Sequence, residues 1–113
     1  PVVFMQGDAL ELAGLGRMFD TVIDSGCFHV FDDQDREAYA RSVGAVVAPG
    51  GRLHLMCFSD LEPPGWGPRR VSQDELRSTF AAGWRVDVIE PERFDVLIDP
   101  DGARAWLATF TRL

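Results

Sequence analysis

The sequence contains no lysine and no asparagine, and it has only two cysteines. All 11 basic residues are therefore arginine, which excludes chemistry that depends on a lysine amine. Cys27 and Cys57 do not form a close metal-ligand pair, and two thiols are too few to staple a small secreted fold. We therefore expect neither a metal site nor a redox disulfide.

Long apolar runs are also missing, since none reaches the roughly 18 to 20 residues that a membrane span needs. Residues 1–6 lack the basic region and the cleavage site of a signal peptide. These two features predict a cytoplasmic protein without a membrane partner. The net charge of −7 would oppose binding to a phosphate backbone, so nucleic acid is not an expected partner either.

The composition that is present is that of a folded globular domain. Of the 113 residues, 46% are hydrophobic and 26% are charged. A chain of this length can bury one core and is too short for two ordinary domains. We therefore expect one domain over residues 1–113.

The first half of the chain has the pattern of a strand, a strand, a helix and a strand. Apolar, β-branched runs at Val2–Gln6 and Phe19–Asp24 each end at a loop signal. Asp32 or Asp33 can then cap a helix that runs to about Val47, with Tyr39, Val43, Val46 and Val47 on its buried face. Pro49-Gly50-Gly51 should end that helix before a strand at Arg52–Phe58. This order predicts a right-handed βαβ crossover and a partly parallel sheet.

The second half of the chain begins with a long loop. Ser59–Arg70 carries three prolines and two glycines around Trp66, and a connection of this length in a small domain is often a lid. Ser72 and Glu75 are spaced as a capping box, which predicts a helix that buries Leu76 and Phe80 and ends at Gly83.

Two final strands are predicted at Trp84–Ile89 and Ala105–Thr111, as an antiparallel pair joined by residues 91–102. The alternation of strands and helices indicates an α/β fold, in the form of a doubly wound layered domain. In such sheets ligands bind beyond the carboxyl ends of the parallel strands. This rule selects Asp8 and Ala9, then residues 24–29, then Ser59 with the lid. Two acids there suit a ligand with donor groups or a positive charge.

Three segments carry a resemblance to a known family. GDAL after the first strand, FDTVIDSGCFHVF on the second and APGGRLHL before the third are similar to the C-terminal half of Rossmann-like S-adenosylmethionine-dependent methyltransferases that act on small molecules. The resemblance implies a Rossmann-like sheet, mostly parallel with an antiparallel closing strand. It also implies that residues 1–113 form the C-terminal portion of one methyltransferase domain. The N-terminal strands and the glycine-rich ExGxGxG loop of that family are absent from this chain.

The resemblance also implies a cofactor, S-adenosylmethionine, and a site for it. Asp8 would bind the adenine amino group, the backbone at Ala9 would meet the ring edge, and Asp24, Ser25 and Gly26 would border the methionine moiety. The pocket for the methyl acceptor, a small molecule, would be lined by Cys27, Phe28, Phe31, Phe58, Trp66 and Arg69. His29 is the candidate catalytic residue, as a base that direct methyl transfer can do without. A homodimer is left open.

Each of these residues also has a simpler interpretation. Asp8 could be a turn residue, Asp24 a strand-end carboxylate bonded to nearby backbone, and His29 a packed, hydrogen-bonded histidine. Two other functions stay open, a non-catalytic α/β interaction module and a truncated nucleotide-binding enzyme. Because the glycine-rich loop is missing, we expect the 113-residue chain alone to bind S-adenosylmethionine weakly or not at all.

Overall fold

The computed structural model describes residues 2–113. The strands are β1 (Phe19–Ser25), β2 (Val47–Phe58), β3 (Trp84–Val96) and β4 (Asp99–Arg112), and the α-helices are α1 (Asp33–Gly44) and α2 (Gln73–Thr79). Short 3-10 turns lie at Leu12–Leu15 and Phe28–Val30. Within residues 2–113, neither α1 nor α2 has the length and hydropathy needed to cross a membrane. The α/β class predicted from the sequence is confirmed.

The four strands form one mixed sheet in the order β1-β2-β4-β3. Strands β1 and β2 are parallel and are joined through α1, which confirms the predicted βαβ unit. The last strand, β4, is antiparallel to both β2 and β3. Only one of the three strand pairings is parallel, so the expectation of a mostly parallel sheet is wrong for the part of the chain described. The final strand is antiparallel, as expected, and it lies inside the sheet.

The core lies on one face of this sheet. Helix α1 contributes Tyr39 and Val43, and helix α2 is followed by Phe80, which stacks on Phe110 of β4 with ring centroids 4.2 Å apart. The fully buried strand residues of this cluster are Val47, Leu53, Leu55, Cys57, Ala108 and Phe110. Both described helices therefore cover the same face. The doubly wound arrangement, with helices on both faces, is not present in residues 2–113.

The two helices begin where the capping signals predict. The Asp32 carboxylate accepts the amide of Asp35 at 2.8 Å, and Ser72 and Glu75 exchange hydrogen bonds of 3.1 and 3.2 Å in a complete capping box. Each orphan amide at a helix N-terminus needs such an acceptor. Local hydrogen-bond chemistry therefore determines both starting points.

The ends of the predicted helices are less accurate. Helix α1 stops at Gly44, and β2 begins at Val47, before the Pro49-Gly50-Gly51 turn. That turn is a bulge inside the strand, because Phe19 pairs with Val47 but Thr21 pairs with Arg52. Gly50 adopts φ +83°, a left-handed conformation that glycine tolerates without strain. The turn therefore shifts the register of β2 against β1, and it does not end the helix.

The strand predicted at residues 2–6 does not form. These residues have no regular secondary structure, and the ring of Phe4 is 93% exposed. A strand is stable only when its backbone groups pair with a neighbouring strand. Residues 2–6 pair with none of the four strands, and β1 is the edge strand on its side of the sheet. An apolar pattern alone is not sufficient, so this prediction is corrected.

The loop predicted at residues 91–102 is also corrected. Strand β3 continues to Val96 and β4 starts at Asp99, so the two form a long hairpin. Pro91 is tolerated because β3 lies at the edge of the sheet, where a missing N–H costs little. This extension brings Phe94 toward the ends of the first two strands.

Candidate functional site

The carboxyl ends of β1 and β2 lie side by side. Ser25 pairs with Met56, and the amide of Gly26 donates to the carbonyl of Met56 at 3.0 Å. Two loops leave this edge, residues 26–32 after β1 and residues 59–71 after β2. We call them the first loop and the second loop.

Asp24 holds the first loop in place. Its carboxylate accepts the amides of Cys27 at 2.8 Å and Phe28 at 3.1 Å, and the phenol of Tyr39 at 2.6 Å. The residue is only 5% exposed. A carboxylate has about four acceptor positions, so these three donors leave little capacity for a ligand. The structure therefore places Asp24 as a strand-end carboxylate that organises the site from behind.

The charge of Asp24 influences the groups around it. Burial, followed by the nearby Asp24 carboxylate, raises the pKa of Tyr39 far above its usual range and also raises the pKa of the Cys27 thiol. Both groups therefore remain neutral at physiological pH. Cys27 is half-buried and uncharged, which suits a pocket wall and does not suit a nucleophile.

His29 is 5% exposed and joins the two strand ends. The amide of Phe58 donates to its Nδ1 at 2.9 Å, while Nε2 lies beside Gly26. Burial is the largest cause of a lowered pKa, so the imidazole is neutral. Because Nδ1 accepts a hydrogen bond, the proton of the neutral ring is on Nε2. In this tautomer the ring has no free lone pair with which to take a proton.

An aromatic cluster forms the floor between the two loops. Phe58 contacts the rings of His29 at 4.9 Å, Trp66 at 5.3 Å and Phe94 at 5.3 Å between centroids. A concave region of about 420 Å³ adjoins it, lined by residues 64–70. Larger grooves elsewhere, such as the 500 Å³ groove between the ends of α1 and α2, contain none of the predicted site residues. We therefore take the cleft at residues 64–70, which Trp66 lines and below which Phe58 is buried, as the candidate acceptor site.

Two of the aromatic residues predicted to line the pocket occupy other positions. Phe28 is fully buried and packs against Tyr39 and Phe80, so it is a core residue and cannot contact a ligand at the surface. Phe31 is half-buried against Tyr39, at 5.2 Å between ring centroids. The sequence predicts a loop over the segment that contains Phe94 and therefore does not indicate its contact with Phe58.

Arg69 points away from the aromatic cluster. Its guanidinium pairs with Asp33 at 2.6 Å and with Glu75 at 3.7 Å, at the N-terminal ends of α1 and α2. Its neighbour Arg70 lies instead over the rings of Phe58 and Trp66. Both arginines line the concave region at residues 64–70, but only Arg70 contacts the aromatic cluster.

Asp8 and Ala9 are separated from this edge of the sheet. The Asp8 carboxylate accepts the amide of Leu10 at 2.8 Å in a local turn, and the Ala9 carbonyl accepts the Ser42 hydroxyl at 2.7 Å. Helix α1 starts beside the first loop, and Ser42 lies nine residues beyond its first residue, or about 14 Å along its axis. The strand before Asp8 is not formed, so the sheet does not position these two residues.

The residues left at the strand ends fit S-adenosylmethionine only in part. Ser25 is exposed, and Gly26 is half-buried with φ +89°, with Nε2 of His29 on the side where a Cβ atom would lie. Asp24 does not fit as a direct ligand because its oxygens are already engaged. A border for the methionine end of the cofactor at Ser25 and Gly26 therefore stays a prediction, with Asp24 acting on the first loop instead of on a ligand.

Comparison with known proteins supports the same fold. The chain is 36% identical over 94 residues to a 2-heptyl-1-hydroxyquinolin-4(1H)-one methyltransferase of Mycobacteroides abscessus. That alignment covers 81% of this chain and 41% of the relative. A structure described as "Conversion of a Disulfide Bond into a Thioacetal Group during Echinomycin Biosynthesis" matches with a TM-score of 0.80 and 34% identity, covering 97% of this chain and 55% of that one.

More distant structures show the fold alone. The glycopeptide N-methyltransferase MtfA matches with a TM-score of 0.73 at 19% identity, over 96% of this chain and 64% of that one. The chain thus spans about two fifths of the curated relative and about half of the similar structure. The family model for thiopurine S-methyltransferase (TPMT) matches residues 2–109. The chain therefore belongs to the thiopurine S-methyltransferase family of S-adenosylmethionine-dependent small-molecule methyltransferases.

Proposed function

We propose that residues 1–113 form the C-terminal portion of one methyltransferase domain, which transfers a methyl group from S-adenosylmethionine to a small molecule. The observation that supports this most directly is the aromatic floor of Phe58, Trp66 and Phe94. It lies at the carboxyl edge of a parallel strand pair, where ligands of α/β sheets bind. The cleft beside it would hold the methyl acceptor.

The acceptor is proposed to be small, flat and largely apolar. Aromatic walls favour apolar ring systems, and the acidic surface of the protein disfavours polyanions. The relative from Mycobacteroides abscessus acts on a hydroxyquinolinone with a heptyl chain, which has this character. The acceptor atom would be an oxygen, a sulfur or a nitrogen.

The mechanism we propose is direct in-line displacement. S-adenosylmethionine supplies an activated methyl group when it is bound, with Ser25 and the backbone of Gly26 at the border of its methionine end. The side chains of Cys27, Phe58 and Trp66 exclude water and orient the acceptor. Correct positioning alone can lower a barrier by about 7 to 11 kcal/mol, so no covalent enzyme intermediate is required.

The catalytic role of His29 stays a prediction, and its hydrogen bonds restrict it. As a base, His29 would have to release the amide of Phe58 from Nδ1 or move its proton from Nε2. A general base contributes about 10² to 10⁴-fold to a rate, and a thiol acceptor needs little of this. We therefore propose that the main role of His29 is to hold the ends of β1 and β2 together.

Calorimetry with S-adenosylmethionine tests this function. The longest form of the protein that its gene encodes should bind at about micromolar concentrations, while the 113-residue chain should bind weakly or not at all. Labelled cofactor should then pass its methyl group to members of a panel of hydroxyquinolones, thiols and amines. Trp66→Ala should weaken acceptor binding, and Trp84→Phe in the core serves as the matched aromatic control.

A non-catalytic interaction module is the alternative. Asp24 and His29 already have hydrogen-bond partners within the protein, and this favours the interaction module. Absence of cofactor binding and of methyl transfer in every gene-encoded form would support this alternative and overturn the proposed function.

A further inference from the structure

Arg70 is the internal support of the second loop. Its Nη2 donates to the carbonyl of Pro63 at 2.7 Å, its Nη1 to that of Pro68 at 2.8 Å, and its Nε to that of Glu62 at 3.3 Å. These carbonyls come from both sides of the loop tip. One planar, rigid guanidinium therefore joins both arms of the loop, which a lysine ammonium cannot do with the same geometry.

The same guanidinium lies over the aromatic floor. Its central carbon is 5.0 Å from the ring centroid of Phe58 and 5.3 Å from that of Trp66. These two rings meet edge to face, with an angle of 67° between their planes. Arg70 thus contacts the loop backbone, the buried ring of Phe58 and the ring of Trp66, and Trp66 lines the candidate acceptor cleft together with Arg70.

The attachment of the loop to the fold does not depend on Arg70. The amides of Asp60 and Val71 donate to the carbonyls of Val71 and Phe58, both at 2.9 Å, which closes the base of the loop. Glu62 accepts the amide of Arg104 from β4 at 2.8 Å. Loss of the Arg70 side chain would therefore disorder the interior of the loop and leave its base attached.

The path of the loop also needs close contact with the floor. Gly67 has φ +68°, and a Cβ atom placed there would lie 3.0 Å from the ring of Phe58. The backbone therefore passes directly over this ring, and Trp66 is held at its edge. The position of Trp66 depends on the conformation that Arg70 stabilises.

From these contacts we propose that Arg70 is a positioning residue that sets the shape of the acceptor cleft by fixing Trp66 over Phe58. The proposal rests on the proposed function only in naming the cleft as the acceptor site. Its structural part, the dependence of Trp66 on Arg70, stands without any activity.

The test compares Arg70→Ala and Arg70→Lys with Arg77→Ala, which removes an exposed arginine of α2. Acrylamide quenching of Trp66 is measured as the difference between each protein and its Trp66→Phe counterpart. Both Arg70 variants should show increased quenching and faster hydrogen exchange at residues 65–67, with unchanged exchange at residues 60–62 and 71. Arg77→Ala should match the wild type in both measurements.

Activity supplies a second readout. In the form of the protein that transfers methyl groups, Arg70→Ala should raise the KM for the acceptor about tenfold, the scale of one lost cation–π contact, while the KM for the cofactor stays the same. Guanidinium at millimolar concentration should restore part of the acceptor KM, while sodium chloride at equal ionic strength should not.

The outcomes separate the two proposals. Unchanged quenching and unchanged loop exchange in Arg70→Ala would overturn the positioning role, whatever the activity. Full retention by Arg70→Lys would also overturn it, because charge without the planar fork would then be sufficient. If no form of the protein binds the cofactor, the proposed function fails, while increased quenching in Arg70→Ala would still establish the link between Arg70 and Trp66.

Discussion

The phenol of Tyr39 donates a 2.6 Å hydrogen bond to Oδ2 of Asp24, so helix α1 is tied to the end of β1 directly below the first loop. The sequence pattern predicts only a packing role for Tyr39. The ring does pack against Phe28 and Phe31, but its hydroxyl also completes the acceptor sites of a buried carboxylate. The first loop thus depends on a residue of the following helix.

Tyr39→Phe should lower the free energy of unfolding by about 1.5 to 3 kcal/mol, the range for a buried hydrogen bond to a charged group. Urea unfolding of Tyr39→Phe, Asp24→Asn and the double variant measures the coupling between the two groups. The double variant should lose less than the sum of the single losses. Strictly additive losses would mean that the hydrogen bond contributes nothing to stability.

A second buried charge lies nearby. Arg36 is 2% exposed, its Nη1 pairs with Glu75 at 2.5 Å, and its Nε and Nη2 have no partner among the described residues. The ring of Phe28 lies 5.1 Å from the centre of the guanidinium. Glu75 is therefore the principal charge partner of a buried cation, in addition to its role in the capping box of α2.

Glu75→Ala should destabilise the protein by about 1 to 3 kcal/mol, less than the 3 to 5 kcal/mol for a fully buried pair because the Glu75 side chain is 43% exposed. Glu37→Ala, on the exposed face of α1, is the control for loss of one carboxylate and should have little effect. Equal effects of the two substitutions in thermal unfolding would show that Arg36 does not need Glu75.

The sequence predicted the elements whose signals are local. Asp32 and the Ser72–Glu75 pair identify the two helix starts because capping depends on residues three apart along the chain. The hydrophobic runs of β1 and β2 identify a parallel pair because a helix of suitable length separates them. These predictions needed no knowledge of distant contacts.

The sequence-based predictions are less accurate where contacts between residues far apart in the chain determine the structure. Residues 2–6 have the pattern of a strand, but a strand also needs a neighbour, and no single segment encodes that neighbour. Phe94 enters the site only because β3 continues past Pro91, which an edge position permits. Which of Arg69 and Arg70 contacts the aromatic rings depends on which side chain faces the loop interior, and adjacent identical residues cannot reveal this.

Protonation of His29 should make the stability of the folded protein depend on pH. Burial lowers its pKa in the folded protein below the value of about 6.5 in an unfolded chain. Between these two values the unfolded chain binds more protons, so stability falls as the pH drops through about 6.5 and levels off below the folded pKa. The contribution of neutral His29 to the free energy of unfolding is therefore complete only at a pH above the histidine pKa of the unfolded chain.

His29→Asn should remove this part of the pH dependence, since the Asn oxygen can still accept the Phe58 amide but does not titrate. Melting temperatures at about pH 7.5 and about pH 5.5, on either side of the usual histidine pKa, measure the effect. His54→Asn, in a half-buried strand position beside Thr109, is the control and should keep the pH dependence of the melting temperature. If His29→Asn instead leaves the pH dependence intact, then His29 is not the titrating group.

The second loop is fixed at both ends, which changes the lid hypothesis. The amides of Asp60, Glu62 and Val71 all donate to backbone carbonyls at 2.9 to 3.0 Å, and the indole N–H of Trp106 donates to the carbonyl of Val71 at 3.0 Å. A rigid lid that swings from its base would have to break these bonds. Motion should therefore be confined to the tip, residues 64–67.

Hydrogen exchange can locate this motion. The amides of Asp60, Glu62 and Val71 should exchange slowly in the free protein, because opening them requires loss of strand-end contacts, while residues 65–67 should exchange faster. Cofactor with acceptor should slow residues 65–67 and leave the base unchanged, since binding orders only the segment that moves. The tip of the β3–β4 hairpin at Leu97, which is fully exposed, should exchange fast in both states and serves as the internal control. Rapid exchange at the base would instead favour a hinged lid, and a tip that ligands do not slow would make residues 59–71 a passive surface loop.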